Sequence, residues 1–264
     1  MRVCTLASSS KGNSILVYSE NTKILVDAGL NIDILEEKLN LLNLRLGDVN
    51  AILITHEHTD HIKGLPAIIR KYKIKTYAHK LAVPSIIKKL GKKADPNLII
   101  PIFFEPFDIG EFTVKAFSLP HDSVMCVGYN IIKDNKKISI ATDFGHTNSS
   151  IIENLYNSRL VILESNHDIT RLLANVKYSA LLKSRILSDN GHLSNMAAAK
   201  TVCELAKNNV KQILLAHLSE ENNTKEICLN TINTCLNEAN IKINEDIFVD
   251  VASPYEISKV YHLN

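Results

Sequence analysis

The sequence has no tryptophan, no paired-cysteine motif and no apolar run long enough to span a bilayer. Its five cysteines are odd in number, scattered, and never spaced C-x-x-C. That distribution argues against a disulfide framework or a thiolate zinc site, and it favours a reducing cytosol. The first residues, MRVCTLASSSKGNS, contain no long apolar segment of the kind that a secretory signal requires. We therefore expect a cytoplasmic protein with no membrane partner.

Aromatic content and net charge, taken alone, do not indicate a polyanion partner. The chain has 8 tyrosines and 7 phenylalanines, which disfavours a groove that stacks single-stranded bases. The formal net charge is only +2. The charge is uneven, however, because residues 61–94 hold ten lysines and arginines and no acidic residue, with Lys88 and Lys89 among them. This basic segment is either a solvated helical face or a surface that attracts a polyanion.

The order of apolar runs predicts an α+β architecture. The length of 264 residues and a 45% hydrophobic content suit one domain over residues 1–264. Early strand-like runs come in pairs, as hairpins do, and later ones are separated by helical runs, which predicts two sheets covered by outer helices. The predicted strands are 14–18, 23–27, 51–54, 113–118, 128–132, 137–142, 160–163, 212–216 and 247–251. The predicted helices are 33–42, 62–72, 83–90, 149–157, 178–187, 194–208 and 224–239.

The segment HEHTDH, residues 56–61, follows the apolar run 51–54 directly. His56 and His58 stand two apart, so on an extended segment they project to the same side. Asp60 and His61 follow where the next helix starts. Two imidazoles suit one divalent metal, and an imidazole with a carboxylate suits a second, adjacent one.

Three more polar residues follow apolar strands further along the chain. His121 ends FSLPH, Asp143 lies in ISIATD, and His217 ends ILLAH. Each alone is typical of an ordinary turn or cap. Together they supply what a binuclear site lacks: His121 would complete the first metal, His217 the second, and Asp143 would bridge both.

This set of motifs resembles the metallo-β-lactamase superfamily over nearly the whole chain. The pattern HxHxDH, then a later His, Asp and His at strand ends, is the basis of the resemblance, and VDAG at 26–29 is similar to the superfamily's early strand-end aspartate. The resemblance implies an αββα four-layer sandwich with the site along one edge. Asp27 would then orient metal ligands through hydrogen bonds.

Further motifs resemble the phosphodiesterase branch of the superfamily, which includes the tRNA 3′-processing endonucleases. HDSVMCVGY at 121–129 is similar to a segment of that branch, GHLSN supplies His192, and LES supplies Glu164. The order SSSKGNS, THEHTDH, ESNHD, GHLSN and LAHLSEENN looks like the YycJ/WalJ-type proteins, a group with assigned DNA exonuclease activity.

The resemblance implies a two-metal phosphodiesterase. Two divalent ions, zinc or manganese, would hold a bridging hydroxide and polarise a phosphoryl oxygen. His192 would donate to the leaving oxygen and Glu164 would hold its ring, with Asp60 also counted among the catalytic residues. The expected substrate is nucleic acid, DNA rather than RNA.

Substrate contacts are expected on both sides of the metals, at Ser9, Asn166, His167, Ser194, Lys88 and Lys89. Two of these assignments have structural alternatives. The SSSKGNS stretch around Ser9 could bring backbone N–H groups to a phosphate, or simply form a tight hairpin turn. His167 could line the cleft, or belong to a polar turn.

Other functions stay open at this point. The nearest are a phosphodiesterase for a cyclic nucleotide or phosphonate ester and an RNA-processing nuclease. A lactam or thioester hydrolase would leave Glu164 and His192 without a purpose, and a regulatory accessory protein would not need the complete ligand set. The sequence leaves metal identity, polarity of digestion and oligomeric state undetermined.

Overall fold

Two sheets with the same plan form the centre of the molecule. The computed structural model describes residues 1–91 and 95–263, and over these residues each sheet has seven strands. The first sheet contains β1 (Arg2–Ser9), β2 (Gly12–Tyr18), β3 (Lys23–Val26), β4 (Ala51–Ile54), β5 (Thr76–His79), β6 (Ile99–Ile102) and β14 (Tyr261–His262). β1, β2 and β3 pair antiparallel, and β3 to β6 pair parallel.

The second sheet repeats this change from antiparallel to parallel pairing. It contains β7 (Phe107–Ile109), β8 (Phe112–Leu119), β9 (Cys126–Lys133), β10 (Lys136–Ala141), β11 (Leu160–Glu164), β12 (Gln212–Ala216) and β13 (Phe248–Val251). β7 to β10 pair antiparallel, and β10 to β13 pair parallel. In each sheet the parallel strands therefore have their carboxyl ends at the same edge, where sites commonly form.

Helices cover the outer face of each sheet. They are α1 (Ile32–Leu41), α2 (Thr59–Ile62), α3 (Leu65–Tyr72), α4 (Val83–Leu90), α5 (Ser149–Leu155), α6 (Ile169–Ala174), α7 (Ala180–Leu187), α8 (Asn195–Lys207) and α9 (Lys225–Glu238), with 3-10 turns at Leu46–Asp48 and Pro96–Leu98. Side-chain caps from Ser194 and Thr224 start the two longest of these helices. Across the described ranges, none of the helices has the length and apolarity that crossing a membrane requires.

Three apolar clusters separate four layers. One lies between the sheets and includes Phe112 and Tyr129. A second packs α5, α8 and α9 on the second sheet, and a third packs α1, α3 and α4 on the first. The predicted αββα sandwich is confirmed. The inter-sheet cluster joins both halves, while the single domain over 1–264 stays a prediction.

Local differences from the sequence-based elements have physical reasons. The predicted helix 62–72 is interrupted after Ile62, because the Gly64 N–H donates to the Ala28 carbonyl instead of continuing the helix. A Cβ at Gly64 would lie 2.0 Å from the Leu30 carbonyl oxygen, so only glycine allows this contact. The strands β1, β5, β6, β7 and β14 are absent from the predicted set. The last four of these have two to four residues, and β6 carries Pro101 at the sheet edge, whereas β1 has eight residues and extends into the small-residue stretch SSSKGNS.

Candidate metal centre

The polar residues singled out in the sequence lie where strands of both sheets end. Asp27 follows β3, residues 56–61 follow β4, His121 lies two residues beyond β8, Glu164 ends β11, and Asp143 and His217 come just after β10 and β12. Three of these residues adopt a left-handed backbone conformation just after their strands. They are Asp27, Asp143 and His217, with φ of 64°, 63° and 57°. Aspartate and histidine enter this left-handed region more readily than most residues.

The seven predicted ligands form two clusters joined by one carboxylate. Within each cluster, ligand atoms lie within 4.8 Å of one another: His56, His58 and His121 in the first, and Asp60, His61 and His217 in the second. Asp143 groups with His56 and His61 at the same spacing, and its Oδ2 lies 3.3 Å from His61 Nε2. Such clusters suit divalent metals. The individual ligand roles stay a prediction.

Hydrogen bonds fix which nitrogen of each ring faces this centre. The Thr55 backbone N–H and hydroxyl both donate to the Asp27 carboxylate, at 2.9 Å each. The Thr55 hydroxyl therefore accepts from His56 Nδ1 at 3.0 Å, and Asp27 accepts from His61 Nδ1 at 2.7 Å. Both rings are left with Nε2 free to bind a metal. The resemblance to the superfamily implies such an orienting role for Asp27, and that role stays a prediction.

The second sheet orients two more rings in the same way. His121 Nδ1 donates to the Gly191 carbonyl at 3.1 Å, and His217 Nδ1 donates to Glu164 Oε1 at 2.8 Å. Nε2 is again the nitrogen that faces the centre. In the first cluster, His58 presents Nδ1, which lies 3.3 Å from His121 Nε2.

Three buried atoms at the centre lack a hydrogen-bond partner among the described residues. They are His56 Nε2, His217 Nε2 and Asp143 Oδ2. Buried polar atoms are nearly always satisfied, so three such atoms within the two clusters indicate sites that suit cations. Burial and the neighbouring histidines hold the pKa of His56 well below its usual value, which keeps the ring neutral and able to bind a metal. The residues present therefore fit a metal pair.

His192 lies at the edge of this centre, paired with Glu164. Its Nδ1 donates to Glu164 Oε1 at 2.8 Å, and its side chain is 24% exposed. Glu164 is fully buried and accepts in addition from the backbone N–H groups of Phe144 and Leu193. Burial opposes protonation of His192, but the Glu164 charge outweighs it and raises the pKa of the ring.

Four predicted substrate residues lie close by, and three have partners inside the protein. Ser9 belongs to β1 and accepts from the Lys11 N–H, so SSSKGNS forms the tight hairpin turn. Asn166 donates to the His217 carbonyl, and Ser194 caps α8. His167 is buried without a partner for either ring nitrogen among the described residues, and burial lowers its pKa to about 4. Their substrate roles stay predictions.

The basic segment approaches the centre through α4. Lys89 Nζ donates to the Glu57 carbonyl at 2.9 Å, inside the HEHTDH loop. Lys88 is exposed on the same helix, whereas Lys71 is paired with Glu36. Two lysines of the segment, at positions 92 and 93, lie outside the described residues.

Sequence reasoning missed two residues that position the second cluster. Asn13 Nδ2 lies 3.2 Å from both Asp60 Oδ2 and His61 Nε2. A Cβ at Gly29 would lie 1.7 Å from the Asp60 carbonyl oxygen, so this glycine lets the loop approach. Both residues belong to motifs already noted, SSSKGNS and VDAG, but nothing in the spacing assigns them these contacts.

Comparison with known proteins identifies the family. A model of the β-lactamase superfamily domain matches residues 22–218. The chain is 36% identical over 251 residues to the protein named exodeoxyribonuclease WalJ of Streptococcus pneumoniae strain D39, with 94% of this chain and 93% of that protein covered. The chain belongs to the metallo-β-lactamase superfamily. The predictions of this family and of a metal-dependent hydrolase are confirmed.

Other metallo-β-lactamase relatives agree with this placement. The protein named exodeoxyribonuclease YycJ of Bacillus anthracis is 32% identical over 258 residues, covering 98% of this chain and 97% of that protein. Among solved structures, YhfI of Bacillus subtilis aligns with a TM-score of 0.72 at 17% identity over 97% of this chain and 98% of that one. Human tRNase Z, short form, aligns with a TM-score of 0.65 at 18% identity, covering 98% of this chain and 99% of that chain. At these identities the solved structures show a shared fold.

Proposed function

We propose that this protein is a metal-dependent DNA exonuclease that hydrolyses phosphodiester bonds. The two relatives described above that match nearly the whole chain carry the name exodeoxyribonuclease. The observation that carries the chemistry is the position of His192, whose ring centroid lies 5.2 Å from those of both His121 and His217. A proton donor beside a metal centre suits phosphodiester hydrolysis, because the alkoxide oxygen of a phosphodiester is a poor leaving group until it is protonated.

The proposed cofactors are two divalent ions, zinc or manganese. The proposed ligand sets are His56, His58 and His121 for one ion, Asp60, His61 and His217 for the other, and Asp143 for both. When bound, such ions polarise a phosphoryl oxygen and make a water molecule acidic enough to react at neutral pH.

The chain's own contribution to the reaction is proton donation by His192. Glu164 accepts from its Nδ1, so the ring carries its second proton on Nε2, away from Glu164. A raised pKa keeps that proton in place near neutral pH. Donation to the leaving oxygen, or stabilisation of the charge there, follows from this arrangement.

Contacts outside the metal centre would hold the DNA strand. Lys88 and Lys89 place positive charge on α4, and Lys89 already touches the loop that carries His56 and His58. Phosphate contacts of this kind fix the register of a nucleic acid without reading its sequence. Ser9, Asn166, His167 and Ser194 are the proposed contacts on the other side. A cytoplasmic location agrees with five free cysteines.

The decisive experiment is degradation of end-labelled linear duplex DNA by the purified protein with Mn²⁺. The matched control is Asp143→Asn, which keeps the side-chain size and tolerates the left-handed backbone while removing a negative charge. We expect mononucleotides or a ladder from one end with the wild type, and no products with the control. The end that is shortened gives the polarity.

Two results would contradict the proposal and point elsewhere. Hydrolysis of bis-p-nitrophenyl phosphate without cleavage of DNA would move the substrate to a small phosphodiester or to RNA, which a labelled RNA substrate then separates. Metal binding without any hydrolysis would favour a regulatory role.

A further inference from the structure

A cavity borders His192, His217 and Asn166 and extends to residues that have no role in the function proposed above. It has a volume of about 160 Å³. One wall is formed by residues 168–190, which carry α6 and α7 and which we call the arm. The arm contributes Tyr178, Leu182 and Arg185 to the lining, and Ser10 and Ser219 line it from elsewhere.

The arm is poorly buried but firmly tied to the metal centre. α7 has no buried residue, and Val176 is 96% exposed. At its end, however, the His192 backbone N–H donates to the Ile186 carbonyl at 3.0 Å. A Cβ at Gly191 would lie 2.2 Å from that same carbonyl oxygen, so glycine is required for the contact. The arm thus adds little core and lies where it can meet a ligand at the site.

Arg185 supplies a cation on the arm in the lining of this cavity. Its Nε donates to the carboxylate of Asp122, the residue after His121. The Arg185 side chain is 59% exposed, and within the described ranges no hydrogen bond uses its two terminal nitrogens. A guanidinium oriented in this way, with donors left over, matches the geometry of a phosphate.

We propose that the cavity is the subsite for the terminal nucleotide of the DNA strand. Arg185 contacts the phosphate next to the scissile one, and Tyr178 and Leu182 contact the base. The cavity shares His192 and His217 with the metal centre, so an occupant is continuous with the strand being cut. It is smaller than the roughly 300–1,000 Å³ pockets that enclose whole ligands, which suits part of one nucleotide. The inference rests on the proposed exonuclease function and explains why the enzyme would act at ends.

The test compares two substrates in three variants and in the conservative variant Arg185→Lys. Arg185→Gln removes the phosphate contact, Tyr178→Ala removes the base contact, and Lys207→Gln is the control for lost charge. Lys207 ends α8, about 20 Å along the helix from Ser194 at 1.5 Å per residue. The substrates are linear duplex DNA and bis-p-nitrophenyl phosphate, which has a single phosphate and no base.

We expect Arg185→Gln to lower kcat/KM on DNA by about tenfold or more, mainly through KM, since a charge-assisted contact is lost. Tyr178→Ala should show a smaller loss of the same kind. Bis-p-nitrophenyl phosphate should be hydrolysed within about twofold of wild type by both variants, and Arg185→Lys should restore part of the DNA activity. Lys207→Gln should match wild type on both substrates.

Unchanged DNA kinetics in Arg185→Gln would overturn the subsite. An equal loss on both substrates would also overturn it, because Arg185 would then support the metal centre. If the wild-type protein hydrolyses bis-p-nitrophenyl phosphate but not DNA, the exonuclease function itself is refuted. This result differs from the two preceding ones, in which the wild type degrades DNA and only the subsite is refuted. Unfolding midpoints of the variants show whether a folding defect causes the loss. We expect no such defect in Arg185→Gln, because Arg185 is exposed.

Discussion

Replacing His192 with alanine separates proton donation from phosphate polarisation. The ring is partly exposed, and its removal leaves Glu164 with three of its four donors, the N–H groups of Phe144 and Leu193 and the His217 imidazole. No buried carboxylate is therefore left without partners, and we expect the fold and the metal ligands to persist. The loss should be confined to the chemistry.

The size of that loss depends on the leaving group. General acid catalysis contributes about 10²–10⁴-fold, which corresponds to roughly 2.7–5.4 kcal/mol of activation free energy. We expect kcat on DNA to fall within that range. Bis-p-nitrophenyl phosphate releases a stable phenolate that needs no proton, so its hydrolysis should change by less than about threefold.

The assay measures kcat for both substrates with wild type, His192→Ala and the control His262→Ala. His262 is an exposed histidine on β14. Equal losses on both substrates would refute the reasoning, because His192 would then hold the metal centre together. Full activity on DNA would show that another group protonates the leaving oxygen.

Three further predictions concern the residues around the centre. Asp27→Asn should weaken the orientation of His61 and lower divalent-metal affinity by about 10–100-fold in calorimetric titrations, and unchanged affinity would contradict the role given to it. Glu164→Gln must turn an amide N–H group toward either two backbone N–H groups or two imidazole N–H groups, which cannot accept it. Urea unfolding should therefore show that the free energy of unfolding falls by about 2–5 kcal/mol. A change within error of zero would contradict this. Lys88→Gln combined with Lys89→Gln should reduce the slope of log binding constant against log salt by about 1.8 on duplex DNA, whereas an equal slope would remove α4 from the interface.

The positions of the predicted ligands were accessible from the sequence because they follow apolar strands. A strand that ends at a polar residue marks an edge, and parallel strands bring their ends to the same edge. That reasoning predicted that His56, Asp143 and His217 belong to one site, and the structure groups Asp143 with His56 in one cluster and with His217 in another. The order of the strands predicted two sheets covered by outer helices, and the resemblance to the superfamily implied the four-layer sandwich.

Contacts that depend on close approach could not be predicted in this way. The break between α2 and α3 follows from a glycine contact with a strand-end loop, far away in the sequence. Asn13 and Arg185 bond across elements whose relative placement periodicity does not specify. β5 has four residues like β4, but its segment TYAH lacks the continuous apolar run AILI by which β4 was recognised.

At the left-handed turns that end β3, β10 and β12, the residue that suits the site differs from the residue that gives the highest stability. A non-glycine residue in this conformation costs about 1–2 kcal/mol, less for aspartate, and glycine avoids the cost. Alanine at position 143 would therefore remove the carboxylate and add strain, while glycine would remove both the carboxylate and the strain. An inactive protein with glycine at this position should consequently be at least as stable as the active one. At Asp27, Asp143 and His217, the residues that best serve folding and the residues that serve catalysis are different.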